Sequence, residues 1–166
     1  LHRNAADVIG SVAHYLAQFG WVPGEPTHYA VEPPRDAAER AALLAPDILP
    51  SFDAAEFARR GARLAAEAEA HAGKLALVEL QNGAAPPSYV AGTKNFYAIT
   101  RYNWSSYYAM AVIGLGAAVA REAARDGVSV GGAAAPPSPL GEAADQVVGQ
   151  RVERHVGNLE AMPQVE

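Results

Sequence analysis

Apolar residues recur at helical spacing in two long stretches of this chain. Val8, Ile9, Val12, Leu16 and Phe19 fall on one side of a helix, with Tyr15 beside them. Asn4 and Asp7 stand where an N-cap and its capping-box acid belong, and Gly20 where a glycine stops a helix. Tyr108, Val112, Leu115 and Val119 form a second stripe, predicting a helix from Ser105 to about Ala124. Its cap is Asn103 or Ser105.

Between these helices the pattern is shorter and mixed. Asp36 and Glu39 form a capping-box pair for a helix running to about Leu44. Ser51 predicts a cap for a helix from Phe52 to about His71, closed by Gly73. Thr27–Glu32, Leu75–Leu80, Ser88–Val90 and Asn95–Thr100 have strand propensity, and Asn82-Gly83 is a turn signal. The expected class is α+β, mainly helical, with a small antiparallel sheet. After Gly127 the large apolar residues thin out and Gly131–Pro139 is rich in Ala, Pro and Gly. The expected division is therefore a folded part over residues 1–126, then a linker and weakly structured tail over residues 127–166.

Composition narrows the function classes. The 166 residues suffice for one domain, and the net charge of −5 argues against a nucleic-acid partner bound through a basic surface. The absence of cysteine excludes disulfides and cysteine-based zinc sites. His2, His14, His28, His71 and His155 are scattered without metal-ligand spacing, so no metal or other cofactor is expected. No P-loop, dinucleotide-binding or nucleophile-elbow motif occurs. Glu79 is the one carboxylate in an apolar, strand-like setting, where desolvation would raise its pKa, but a structural role fits it better.

The stretch Asn95–Tyr108 is chemically the richest. Six of its fourteen residues are aromatic, and Asn, Thr, Arg and Ser lie between them. Aromatic faces cover the apolar face of a pyranose while amides and hydroxyls bond its rim, so this mixture suits a saccharide. Phe96 reads as core. Tyr102, Asn103 and Tyr108 read as candidates for function, because buried tyrosine hydroxyls and amides need partners.

Two blocks of residues carry a family resemblance. The first runs Asp7-Val8-Ile9-Gly10-Ser11-Val12-Ala13-His14-Tyr15-Leu16, then Phe19-Gly20-Trp21 and Gly24-Glu25-Pro26. The second runs Asn95-Phe96-Tyr97-Ala98-Ile99-Thr100-Arg101-Tyr102-Asn103, then Ser105, Tyr108-Ala109 and Val112. In this order they resemble the lytic murein transglycosylase B family. The middle, Thr27 to Ala91, resembles it only in element order, and nothing after about Arg125 does.

The resemblance implies a lysozyme-like domain acting on peptidoglycan glycan strands. Such enzymes cleave the β-1,4 bond between N-acetylmuramic acid and N-acetylglucosamine, the muramyl C6 hydroxyl attacking C1 to leave a 1,6-anhydro ring. One glutamate serves as acid and then base. Tyr15, Tyr102, Asn103 and Tyr108 match saccharide-site positions of the family. His14 stands where the family usually has Asn, and Trp104 occupies a variable position.

The family's catalytic glutamate and a further cleft-shaping segment lie upstream of the first block, and neither motif occurs here. The expectation is therefore the C-terminal part of such a catalytic domain, inactive alone and partnered by the N-terminal part. The implied compartment is the periplasm, with a soluble or outer-membrane-anchored parent equally compatible. On this reading Val8, Val12, Tyr15 and the Tyr108 stripe lack cover within these 166 residues. A non-catalytic glycan-binding module and a plain interaction domain are the alternatives.

Overall fold

The computed structural model describes residues 5–127. The linker and tail expected over 127–166 fall, from residue 128 onward, outside the described residues, as does the Asn4 cap. Helix α1 spans Ala5–Gln18. It stops in a Schellman turn: Gly20 adopts φ +81°, its N–H reaches Ala17 O at 3.0 Å, and Trp21 N–H reaches Leu16 O at 3.0 Å. A Cβ on Gly20 would also collide with the Lys94 side chain.

Strand β1 (His28–Glu32) follows, then α2 (Ala37–Leu44), whose N-cap Asp36 accepts from Ala38 and Glu39 N–H. Glu39 does not close the box. Its carboxylate instead takes the Arg60 guanidinium at 2.8 Å.

The single helix expected over 52–71 is not formed. Ser51 and Phe52 are drawn into a bridge with Leu75, so Asp53 rather than Ser51 caps the short helix α3 (Ala54–Arg59). Gly61 (φ +83°) ends it with a second Schellman turn, Ala62 N–H to Phe57 O and Gly61 N–H to Ala58 O. The chain then pairs as β2 (Arg63–Leu64) with the free edge of β1 and makes one turn of helix, α4 (Ala66–Glu69).

Strands β3 (Ala76–Asn82) and β4 (Ala85–Gly92) form a hairpin through Gly83 at φ +69°. All pairings are antiparallel and the sheet order is β2-β1-β4-β3. Strand β4 is longer than expected. Pro86 and Pro87 are tolerated because β1 pairs only with the far end of β4, residues 90–92, and the hairpin register is irregular beside them.

Asn95–Thr100, expected as a strand, is helical. Thr93 caps α5 (Lys94–Thr100) by accepting the Asn95 N–H, and Phe96, Ile99 and Thr100 then fall on one buried face. Helical spacing of the buried residues overrides the strand propensity of Phe, Tyr, Ile and Thr. Helix α6 (Ser106–Arg125) is capped by Ser105, which resolves the choice between Asn103 and Ser105.

Alternation along the strands divides the core between the two faces of the sheet. Ala76, Val78, Leu80 and Val90 pack with Phe96, Ile99, Ala109 and Met110 under α5 and α6, joined by Leu16, Trp21 and Ile113. Leu77, Ala91 and Tyr29 pack on the other face with Leu43, Phe57 and Ala68 under α2, α3 and α4. Gly92 lets the Phe96 ring lie against the strand, where a Cβ would stand 3.1 Å from it. Among the described residues, six helices around a small antiparallel sheet make the α+β, mainly helical class.

Candidate functional site

The two ends of the described chain come together. Helix α1 and the loop after it face α6 across a groove of about 930 Å³. Tyr15, Tyr102 and Tyr108 line it, with Trp21, Glu25 and Ile113. Its surface is mostly apolar, as a saccharide-stacking or helix-packing surface would be.

The rings meet in a defined arrangement. Tyr102 stacks on Tyr108 with centroids 5.7 Å apart and planes 25° apart. Tyr15 meets Tyr102 edge-on at 6.4 Å and leans on Phe19 at 4.7 Å. Tyr102 is 71% exposed, so one large ring face is open to solvent. Asn103 follows it in the turn, exposed, with its N–H donated to Thr100 O. Of the four expected site residues, then, three tyrosines are brought together, and Asn103 stands beside them without lining the groove.

The turn from Arg101 to Ser105 is held by residues whose role was not expected. The Arg101 guanidinium lies over the rings of Phe19, Tyr97 and Trp104 at 5.3–5.5 Å. Trp104 adopts φ +51° and its indole N–H donates to Asp47 Oδ2 at 2.8 Å; Asp47 is itself left-handed at φ +57°. These contacts tie the turn that carries Tyr102 and Asn103 to α1 on one side and to the α2–α3 connection on the other.

The loop Trp21–Thr27 is fixed from inside by Asn95, which is fully buried. Its Oδ1 accepts from Val22 N–H at 2.7 Å, and its Nδ2 donates to the carbonyls of Val22 and Glu25. Thr93 Oγ1 reaches the carbonyls of Pro26 and Thr27. Asn95 is thus one of the polar residues that had to find partners in the core, beside Thr93 and Thr100, and the sequence signal was its place between a helix-capping threonine and a buried phenylalanine.

Glu79 lies outside the groove lining. Its carboxylate accepts from the Tyr89 hydroxyl and the Gln81 amide, the structural role expected of it. Burial and that bond to Glu79 raise the Tyr89 pKa. Among the described residues no cluster of three or more histidine and carboxylate side chains could hold a metal ion. Likewise no described helix is long and apolar enough to cross a membrane.

The fold is a lysozyme-like helical scaffold with a small sheet, and the tyrosine-lined groove lies between its first and last described helices. The chain belongs to the transglycosylase SLT domain family, whose pattern matches residues 1–117. It is 37% identical over 117 residues to membrane-bound lytic murein transglycosylase B of Escherichia coli, spanning 70% of this chain and 30% of that protein. In structure it resembles soluble lytic transglycosylase SltB1 of Pseudomonas aeruginosa, with TM-score 0.60 and 34% identity over 73% of this chain and 38% of that one. It also resembles the E. coli lytic transglycosylase Slt35 in complex with bulgecin A, with TM-score 0.52 and 34% identity over 70% of this chain and 34% of that one. The chain thus spans about a third of the length of these relatives, from 30% to 38%.

Proposed function

We propose that this chain is the C-terminal part of a peptidoglycan lytic transglycosylase and supplies one wall of its glycan cleft. The observation that carries the reading is the tyrosine cluster: Tyr102 stacked on Tyr108, with Tyr15 edge-on to Tyr102, at the groove between α1 and α6. The open face of Tyr102 covers the C–H face of a pyranose, and the tyrosine hydroxyls and the Asn103 amide bond its hydroxyl and N-acetyl groups. The substrate is the MurNAc–GlcNAc β-1,4 linkage, and the product end is 1,6-anhydro-MurNAc.

No residue of this chain is assigned as the acid–base catalyst. Glu25 is the one carboxylate among the described groove-lining residues, and its side chain is turned to His71. The catalytic glutamate comes from the preceding part of the domain, which completes the cleft from the other side. On this reading residues 1–126 form the C-terminal part of the catalytic domain and residues 127–166 a linker and tail. The compartment is the periplasm, and an anchor to the outer membrane would belong to the preceding part.

The second reading is a glycan-binding module without catalysis, favoured by that same lack of a free carboxylate in the groove. Titration of the 166-residue chain with N-acetylglucosamine oligomers, followed by tyrosine ring resonances, tests the glycan site. Shifts confined to Tyr15, Tyr102 and Tyr108 are expected, and unmoved rings would refute it. The chain alone is expected to release no anhydro-muropeptides from purified murein. Appending the preceding residues of its own gene separates the two readings, since only the enzyme gains that activity.

A further inference from the structure

One cluster of titratable side chains, away from the tyrosines, touches the groove. Glu25 sits in the loop that closes one end of it, and its side chain is only 15% exposed. The carboxylate faces His71, whose side chain is 9% exposed: Nε2 lies 3.4 Å from Glu25 Oε1. On the other side of the imidazole, Nδ1 is 3.3 Å from the Tyr29 hydroxyl, and the two rings meet at 5.5 Å. His71 lies between α4 and β3, Tyr29 on β1 and Glu25 just before β1, so the contact joins two parts of the chain some forty residues apart.

Two features mark the imidazole position as specified. Gly73 stands under the ring, where an added Cβ would come within 2.6 Å of Nε2. Gly73 has no left-handed backbone that requires glycine, so its value here is the space it leaves. In addition Nε2 is buried and makes no hydrogen bond, its nearest ion-pair partner being the Glu25 carboxylate. A buried ring nitrogen that faces a carboxylate without a well-formed bond gains from any loop position that improves the geometry.

We propose that His71 is a positioning residue for the groove. Backed by Tyr29, it holds the Glu25 carboxylate and so sets the outer side of the Trp21–Thr27 loop, whose inner side is fixed by Asn95 and Thr93. The loop is clasped from both sides, and the His71 contact is the looser of the two. The link to saccharide binding rests on the proposed glycan site, whereas the clasp itself does not.

The test uses the 166-residue chain and the variants Gly73→Ala, His71→Ala and His71→Gln. Gly73→Ala displaces the imidazole while leaving His71 and Glu25 in the chain. His71→Gln keeps a donor within reach of the carboxylate. Amide resonances of Gly24, Glu25 and Thr27 are expected to move in Gly73→Ala and His71→Ala and to return toward wild type in His71→Gln. Affinity for N-acetylglucosamine oligomers is expected to fall about threefold to tenfold in the first two variants and to recover in the third, up to 1.4 kcal/mol at the tenfold end. Saccharide should also shift the His71 ring nitrogens of the wild-type chain. Loop amides unchanged in a folded Gly73→Ala variant, or a His71→Gln variant as impaired as His71→Ala, overturns the proposal. If the wild-type chain binds no oligomer, the glycan site falls, while the amide comparison still decides the clasp.

Discussion

Tyr102 presents most of its surface to solvent while its other face is stacked on Tyr108. A large aromatic so placed contributes little to folding and much to any ligand that lies on it. Tyr102→Ala is therefore expected to weaken oligosaccharide binding roughly tenfold with little change in melting temperature, and Tyr102→Phe much less. Calorimetric titration beside a thermal melt checks both halves of that statement. Asn95 is the opposite case. Removing its amide leaves Val22 N–H and the Glu25 carbonyl without that partner, while the Val22 carbonyl keeps the Glu25 N–H, all in a part-buried loop. With these groups only part-buried, Asn95→Ala should lose about 1–3 kcal/mol of stability in denaturant melts. A loss below 1 kcal/mol would mean that water replaces the amide. Tyr29 adds a pH-dependent residue. Burial first, then the charges of Glu25 and Glu67, raise its pKa, so its neutral form is favoured in the fold. The stability it contributes is full below the ordinary phenol pKa of about 10 and is lost as pH rises through the higher folded value. Tyr29→Phe should flatten that alkaline decline.

At the scale of elements, helix ends decide where the chain turns. Asp53 caps α3 by accepting Glu56 N–H and also takes Lys74 Nζ at 3.2 Å. The backbone bond, then the bond from Lys74, hold its pKa below the ordinary carboxylate value. A depressed carboxylate contributes stability above its unfolded pKa and loses it as pH falls through the folded one. Asp53→Asn keeps a cap acceptor without the charge, so the acid side of the stability curve below about pH 4 should become shallower. An unchanged acid limb would show that Asp53 is not the group that titrates. The same rules explain what could be read from the chain beforehand. Gly20 and Gly61 make the same Schellman turn, yet only Gly20 coincided with the end of an apolar stripe. Around Gly61 the residues are mostly alanine and arginine, good helix formers on both sides, and the edge of β1 that recruits Arg63 and Leu64 is thirty-odd positions away. For Asn95–Thr100, local propensity pointed to strand, while the buried face shared by Phe96 and Ile99 exists only once α6 is in place. Tyr15, Tyr102 and Tyr108 stand in the two family blocks, as do Glu25 and Asn95, and the structure brings the three tyrosine rings together. The contacts of Glu25, His71 and Asn95 were not legible, because their partners lie dozens of residues away.

Across the whole molecule, α1 and α6 each carry apolar residues that the sheet does not cover. Ala109, Met110 and Ile113 pack α6 onto the core, while Val112, Leu115 and Val119 point away from it, as Val8, Ile9 and Val12 do on α1. A helix with apolar residues on both sides is built for cover on both sides. The exposed set lies on the two helices that flank the groove, with Val12 and Val112 in its lining. Its side chains should therefore matter for association and not for the fold of residues 5–127. The double variant Val12→Lys with Leu115→Lys is expected to abolish hydrophobic-dye binding and concentration-dependent light scattering while leaving the melting temperature nearly unchanged. Met110→Ala, on the covered side of the same helix, should instead cost about 2–5 kcal/mol. If the double lysine variant melts as early as Met110→Ala, the outward face is part of the fold's own stability, and the idea that it awaits cover from the preceding part of the domain is wrong.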